Sequence, residues 1–126
     1  SKFVKVDKLT ELPAAAGSFD FAMTFTVLQH LSHLDARKVI REMKRIVGPD
    51  GHVLLVEDTD PSYAYVDAEN SVHFTHGRAV PWHREEMAPF EIRHISRRKM
   101  EPGFSYQGKP RPYVGHYMLI AGPEAC

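Results

Sequence analysis

Apolar residues occur along this chain in short runs that are separated by turns rich in glycine and proline. Residues 3–6 form a brief β-branched run, and residues 19–28 are apolar at almost every position, as in a strand covered on both faces of a parallel sheet. From residue 39 to residue 47 the apolar positions recur at helical spacing. Residues 52–56 are again continuously apolar. The order strand, strand, helix, strand follows from this pattern.

The predicted helix carries clear signals at both of its ends. Ser32 offers a hydroxyl at the amino-terminal cap, and Asp35 follows three residues later. Gly48 and Pro49 end the helix, because glycine accepts a left-handed turn and proline cannot continue the helix. A strand, a helix and a second strand at this spacing form a crossover unit, so the two strands are expected to be parallel.

The second half of the chain is less regular. A short helix is predicted over residues 82–87, and strands are predicted over residues 90–95 and 113–121, with a loop rich in glycine and proline at 101–112. Two late strands without an intervening helix suggest an antiparallel pair. The prediction is one α/β domain with three parts: a strand–helix–strand core at 1–60, a variable segment for substrate at 61–89, and a terminal β-hairpin at 90–126.

Composition excludes several classes of function. The 16 basic and 16 acidic residues balance, so no overall charge favours nucleic acid or an anionic membrane. The single cysteine, Cys126, suits a reducing compartment, and we expect a cytoplasmic protein. Two His-x-x-His pairs, His30/His33 and His73/His76, lack the glutamate and cysteine support of zinc sites, so no metal is predicted.

Three stretches together resemble the class I S-adenosylmethionine-dependent methyltransferase domain. They are FVKVDKLTELP, FDFAMTFTVLQHL and IREMKRIVGPDGHVLLVED, which match the family's third strand, its fourth strand, and the helix and fifth strand that follow. The resemblance implies a Rossmann-like, mostly parallel sheet and S-adenosylmethionine as cofactor. The family's glycine-rich loop and its first two strands would precede Ser1, so the sheet in this sequence is expected to be incomplete.

The resemblance also implies a set of site residues on the cofactor side. A carboxylate at the end of the third strand approaches the adenine amino group in the family, and Asp7, with Lys8 beside it, occupies that place here. The end of the fourth strand lines the methionine portion, which points to Thr24, Phe25 and Thr26. Strand packing and turn capping are the alternative roles of these residues.

A second set of residues is expected on the side of the methyl acceptor. His30 stands at the mouth of the family's site, where an imidazole can take a proton from an amine or a hydroxyl, although bonding to backbone is the alternative. Glu57 and Asp58 follow the next strand, and they bind a cationic acceptor or simply form a solvated acidic turn. Tyr63 and Trp82 suggest an aromatic wall or a lid packed on the sheet.

The leading hypothesis is therefore methyl transfer to a small molecule or peptide. The alternative is a non-catalytic remnant of the fold that dimerises or binds a partner. Without the first two strands, the strand at 19–28 exposes an apolar edge, and such edges attract partners. Three arrangements would provide this edge with a partner. The chain is a fragment of a complete enzyme, the run at 3–6 pairs with the strand at 19–28, or two copies form a homodimer.

Overall fold

The computed structural model describes residues 3–62, 64–66, 74–99, 105–106, 109–110 and 114–126. Two helices, eight strands and one 3-10 turn (Leu28–His30) occur in these residues. The helices are α1 (His33–Val47) and α2 (Val80–Met87). The strands are β1 (Phe21–Phe25), β2 (His52–Asp58), β3 (Ala64–Val66), β4 (Phe74–His76), β5 (Glu91–Arg98), β6 (Ser105–Tyr106), β7 (Lys109–Pro110) and β8 (Gly115–Ala121).

Four strands form the main sheet, in the order β1-β2-β8-β5. β1 and β2 are parallel, whereas β8 runs antiparallel to both β2 and β5. The predicted crossover unit and the late antiparallel pair are thus confirmed. The short strands β3 and β4 form a separate antiparallel pair, as do β6 and β7.

Helix α1 begins and ends where its capping signals predict. The Ser32 hydroxyl accepts a hydrogen bond from the Asp35 amide at 3.2 Å, and Gly48 ends the helix with φ 72°. The apolar stripe of α1 packs on one face of the sheet. The core there contains Val39, Ile40, Met43, Ile46 and Val47 of the helix and Val53, Leu55, Met118 and Ile120 of the strands.

Two expectations about the first thirty residues are wrong. Residues 3–6 are described but do not form a strand, and Phe3 is fully exposed, so they do not pair with β1. A β-branched run needs a neighbouring strand to bind its backbone groups, and no described strand lies beside it. β1 is also shorter than predicted, and Phe21, Met23 and Phe25 are about half exposed, because no described element covers that face. Among the described residues, it is the other face of β1 that meets the core.

The strand directions bring several chain ends to one edge of the sheet. β1 ends at Phe25 and β2 ends at Asp58, and because these strands are parallel both ends lie on the same side. In the antiparallel ladder Asp58 pairs with Gly115, and Gly115 pairs with Arg98. We call this side the carboxyl edge. In open α/β sheets it is the usual place for ligands. No described helix is long and apolar enough to cross a bilayer.

Candidate functional site

The end of β1 combines an exposed aromatic ring with a left-handed turn. Phe25 is 47% exposed, and the Arg98 guanidinium lies over its ring, 4.4 Å from the ring centre. Thr26 follows with φ 54°, a region that β-branched residues rarely adopt. Its amide donates to the Val56 carbonyl at 2.7 Å, which holds the turn against β2. Backbone strain of this kind is often found at functional sites.

Glu57 lies inside the protein beneath this turn. Its side chain is 0% exposed, because residues 53, 55 and 57 of β2 share the face that the helices cover. Oε1 accepts from the Thr24 hydroxyl at 2.7 Å and from the amides of Val27 (3.2 Å) and Leu28 (3.1 Å). Oε2 accepts from the Gln29 amide at 3.3 Å. Burial raises the pKa of Glu57, and these hydrogen bonds oppose the increase.

The neighbouring acidic residues are also engaged in holding turns. The Asp58 amide donates to the side-chain oxygen of Gln29 at 2.7 Å, and the Asp58 carboxylate accepts from the Asp60 amide at 2.9 Å. Asp58 is buried, whereas Asp60 accepts from the amide and hydroxyl of exposed Ser62. Glu57 and Asp58 therefore lie together at the carboxyl edge, but their carboxylates point into the structure.

His30 is exposed at the end of the 3-10 turn. Its Nδ1 atom lies 3.1 Å from the hydroxyl of Thr75, which belongs to β4. The turn and the β3–β4 pair are thus in contact. The histidines at this junction also lie near one another, since the rings of His33 and His76 are 4.8 Å apart. Among the described residues, no group of three or more potential metal ligands is found.

Arg78 is the buried cation of this junction, with a side chain that is 3% exposed. Its guanidinium donates to the carbonyls of Leu28 (2.7 Å) and Leu31 (2.5 Å) and to Nδ1 of His33 (2.9 Å). The indole ring of Trp82 lies against it at 4.9 Å. Burial and the charge of Arg78 lower the pKa of His33, which keeps its imidazole neutral and able to accept this bond.

Other predicted site residues lie apart or outside the described residues. Asp7 and Lys8 line an open depression of about 480 Å³ formed by the segment from Val4 to Pro13, and its lining does not include Thr24, Phe25 or Thr26. Trp82 is half buried and packs against the core. Tyr63 and His73 lie outside the described residues.

Sequence reasoning did not find Arg78, Gln29 or Thr75. Each binds a partner between 29 and 50 residues away, so no local spacing reveals it. The strand period places residue 57 on the face of residues 53 and 55. Because residues 54 and 56 are also apolar, the sequence alone does not show which of the two faces meets the helices.

His83 on α2 gives the first testable prediction. It is 1% exposed, it donates from Nδ1 to the Ala79 carbonyl at 3.1 Å, and burial lowers its pKa to about 4. A histidine with a lowered folded pKa binds its proton more readily when unfolded, so stability is lost as pH falls below the unfolded value. When the pH falls from 7.5 to 5, we expect the contribution of His83 to lower the unfolding free energy by about 2 kcal/mol.

Denaturant unfolding at the two pH values measures this loss in the wild type and in His83→Asn, whose amide nitrogen can still donate to Ala79. The variant should lose less stability on acidification, and His94→Asn, at an exposed histidine, should behave like the wild type. His33 and His116 also have lowered pKa values and leave a residual slope, whereas Glu57 acts in the opposite direction. An unchanged pH dependence in His83→Asn would refute the assignment.

Comparison with known proteins confirms the resemblance that the sequence suggests. Residues 2–55, less than half of the chain, match the family model described as a methyltransferase domain. No curated protein sequence matches the chain. The family match covers β1, the 3-10 turn, α1 and the first half of β2.

Solved structures share the fold at low sequence identity. An S-adenosylmethionine-dependent methyltransferase from Methanosarcina mazei has a TM-score of 0.71 at 16% identity, covering 94% of this chain and 66% of its own. The 1,6-didemethyltoxoflavin-N1-methyltransferase of Burkholderia thailandensis, solved with bound 1,6-didemethyltoxoflavin and S-adenosylhomocysteine, has a TM-score of 0.66 at 14% identity, covering 92% of this chain and 48% of its own. The cyclase SpnF has a TM-score of 0.67 at 13% identity, covering 94% and 56%.

These likenesses establish the fold, a Rossmann-like methyltransferase α/β sheet. The chain spans roughly half to two thirds of the length of these three structures. A methyltransferase and a cyclase both occur among them, so the activity has to be argued from the site.

Proposed function

We propose that this chain, whose fold is that of the class I S-adenosylmethionine-dependent methyltransferases, takes part in methyl transfer from S-adenosylmethionine to a nitrogen or oxygen of a small molecule or peptide. The observation that carries the proposal is the end of β1. There an exposed aromatic side chain, a left-handed threonine and a turn held by buried Glu57 meet at the carboxyl edge.

The residues at this edge fit the cofactor chemically. The half-exposed ring of Phe25 supplies an apolar wall, and the strained backbone at Thr26 places polar atoms beside it. Asp7 and Lys8 line a separate depression, and in this proposal the Asp7 carboxylate accepts from the exocyclic amino group of the cofactor. In this proposal Thr24 has an indirect role, because its buried hydroxyl donates to Glu57.

When bound, S-adenosylmethionine supplies a methyl group on a cationic sulfur: an acceptor lone pair bonds to the methyl carbon while the carbon–sulfur bond breaks, and that electron pair stays on sulfur. The residues of this chain provide alignment and a place for the released proton. His30, held next to Thr75, takes the proton that the acceptor loses. Alignment of the acceptor supplies most of the rate enhancement in such a transfer.

On the acceptor side, Trp82 and Tyr63 are proposed as wall residues, and Glu57 and Asp58 have a different role. Both oxygens of Glu57 bind backbone amides, and the Asp58 carboxylate holds the Asp60 amide. Their proposed role is to hold the site rather than to bind a cationic acceptor. We also place the protein in the cytoplasm, consistent with its single cysteine, Cys126.

Calorimetric titration of the full-length protein with S-adenosylhomocysteine tests this proposal. Phe25→Ala should weaken binding by about 10-fold, which is the usual loss when an aromatic stacking partner is removed. Phe21→Ala is the matched control, since Phe21 is on the same strand and face and is also 47% exposed, but it lies at the other end of β1. It should leave the affinity unchanged. No binding by the wild type would contradict the proposal.

The exposed apolar side chains on β1 favour a second candidate function, that of a module that pairs with a second copy or another protein. Phe21, Met23 and Phe25 project from one face, and no described element covers them. This candidate predicts a wild type that does not bind S-adenosylhomocysteine but self-associates, with a native mass that Met23→Glu reduces to that of the monomer. A monomeric wild type that binds the ligand would reject it.

A further inference from the structure

The backbone around His30 is held from two sides by buried charges of opposite sign. On one side, the Glu57 carboxylate accepts from the amides of Val27, Leu28 and Gln29. On the other side, the Arg78 guanidinium donates to the carbonyls of Leu28 and Leu31. These two carbonyls lie two residues before and one residue after His30. The segment that presents His30 therefore has both its donors and its acceptors bound by fixed side chains.

Arg78 is itself anchored at the carboxyl edge. Its amide donates to the Asp58 carbonyl at 3.2 Å, and its ring neighbour Trp82 packs against the core. Its third donor, Nε, binds His33 in the first turn of α1. Arg78 thus joins three parts of the site: its amide binds the end of β2, and its guanidinium binds the turn after β1 and the start of α1. A guanidinium can hold three acceptors in fixed directions, which the single ammonium of lysine cannot reproduce.

We propose that Arg78 is a positioning residue of the methyl-transfer site: through the Leu28 and Leu31 carbonyls it sets the place of His30 relative to the end of β1. This inference rests on the proposed function and adds a residue to it. Arg78 is buried under the turn, so it acts through the backbone and does not contact the acceptor. A displacement of about 1 Å is enough to lower the rate of an aligned transfer by roughly 100-fold.

The test compares the full-length wild type with Arg78→Lys, and Arg84→Lys is the control because Arg84 is an exposed arginine on α2, the helix that follows Arg78. Two readouts are used: the NMR signals of the His30 ring in histidine-labelled protein, and calorimetric titration with S-adenosylhomocysteine. In Arg78→Lys the His30 signals should shift or broaden, and affinity should fall about 5-fold, a usual size for a loss transmitted through neighbouring contacts, because the turn borders the same edge. Arg84→Lys should leave both readouts at their wild-type values.

A purely structural role would lower the melting temperature of Arg78→Lys without moving the His30 signals of the folded protein, and that result would overturn the inference. If Arg78→Lys does not fold, His33→Ala replaces it. This variant removes one acceptor of the guanidinium at an exposed position and should move the same signals by a smaller amount. Unchanged His30 signals in a folded His33→Ala protein would also reject the inference.

The outcomes for the inference and for the proposed function are separable. If the wild type does not bind S-adenosylhomocysteine, the proposed function fails, and the His30 signals alone decide whether Arg78 positions the turn. If the wild type binds the ligand and Arg78→Lys matches it in affinity and in its His30 signals, the proposed function stands and the role of Arg78 is wrong.

Discussion

Replacing Glu57 by alanine should lower the unfolding free energy by about 4 kcal/mol, within the range found when one member of a buried charged network is removed. The alanine leaves three amides and the Thr24 hydroxyl without their acceptor, in a place that water does not reach. It also leaves the buried Arg78 cation without the favourable charge that raises its pKa against the effect of burial. Denaturant unfolding of the two proteins measures the difference.

Glu57→Gln separates the hydrogen bonds from the charge. Its amide oxygen can replace Oε1, which serves Thr24, Val27 and Leu28, but its amide nitrogen meets the Gln29 amide, a second donor. We expect a loss of about 2 kcal/mol, smaller than that of alanine but larger than that of a surface change. Equal losses in the two variants would show that the hydrogen bonds to Oε1 are not the source of the stability.

Gly77→Ala should lower the unfolding free energy by about 3 kcal/mol, which is at the upper end of the losses caused by substitutions that overpack a core. A Cβ atom there would lie 2.1 Å from the Asp60 carbonyl oxygen and 2.6 Å from Oδ1 of Asp58. The nearest atom belongs to the backbone, so the turn at 58–60 has to move. Because Arg78 is the next residue and binds the Asp58 carbonyl, the movement should also displace its guanidinium.

Gly17→Ala is the matched control for this substitution. Gly17 has φ 68°, and nothing lies within 4 Å of the place where its Cβ would be, so the substitution carries only the conformational cost of about 1 kcal/mol. Midpoints of denaturant unfolding for both variants give the comparison. Equal losses in the two variants would mean that the close approach of Gly77 to the turn at 58–60 does not limit stability.

The parts of the fold that the sequence predicts well are those with local signals. Ser32 and Gly48 define the two ends of α1, because a cap and a left-handed turn depend only on residues within one helical turn. The pairing of β1 with β2 follows from the length of the crossover. These inferences need no information about distant residues.

The burial of β1 could not be predicted in the same way. An apolar run such as residues 19–28 shows that a strand can be covered, but what covers it depends on elements elsewhere. Among the described residues only the face with Thr24 meets the core, and Phe21 and Met23 are exposed. The same limit applies to residues 3–6, whose β-branched residues pair with no strand in the described part of the chain.

The sequence predicts which edge of the sheet carries the candidate site, but it does not predict the contacts within that site. The sequence leaves two roles open for Glu57 and Asp58, contact with a cationic acceptor or a solvated acidic turn, whereas in the structure both carboxylates are buried and hold turns. Arg78 carries no recognisable motif, and the hydrogen-bond acceptors of its guanidinium lie 45 to 50 residues earlier in the chain. Only the three-dimensional structure brings such residues together.

The hold of Glu57 on the turn has a consequence for how the site forms during folding. Its bonds join residues 28 to 33 positions apart, so the turn cannot gain them until β1 and β2 are paired across the intervening helix. The amides of Val27, Leu28 and Gln29 should therefore exchange with solvent only when this pairing opens. The slowest-exchanging part of the protein would then include a turn, a kind of element that ordinarily exchanges early.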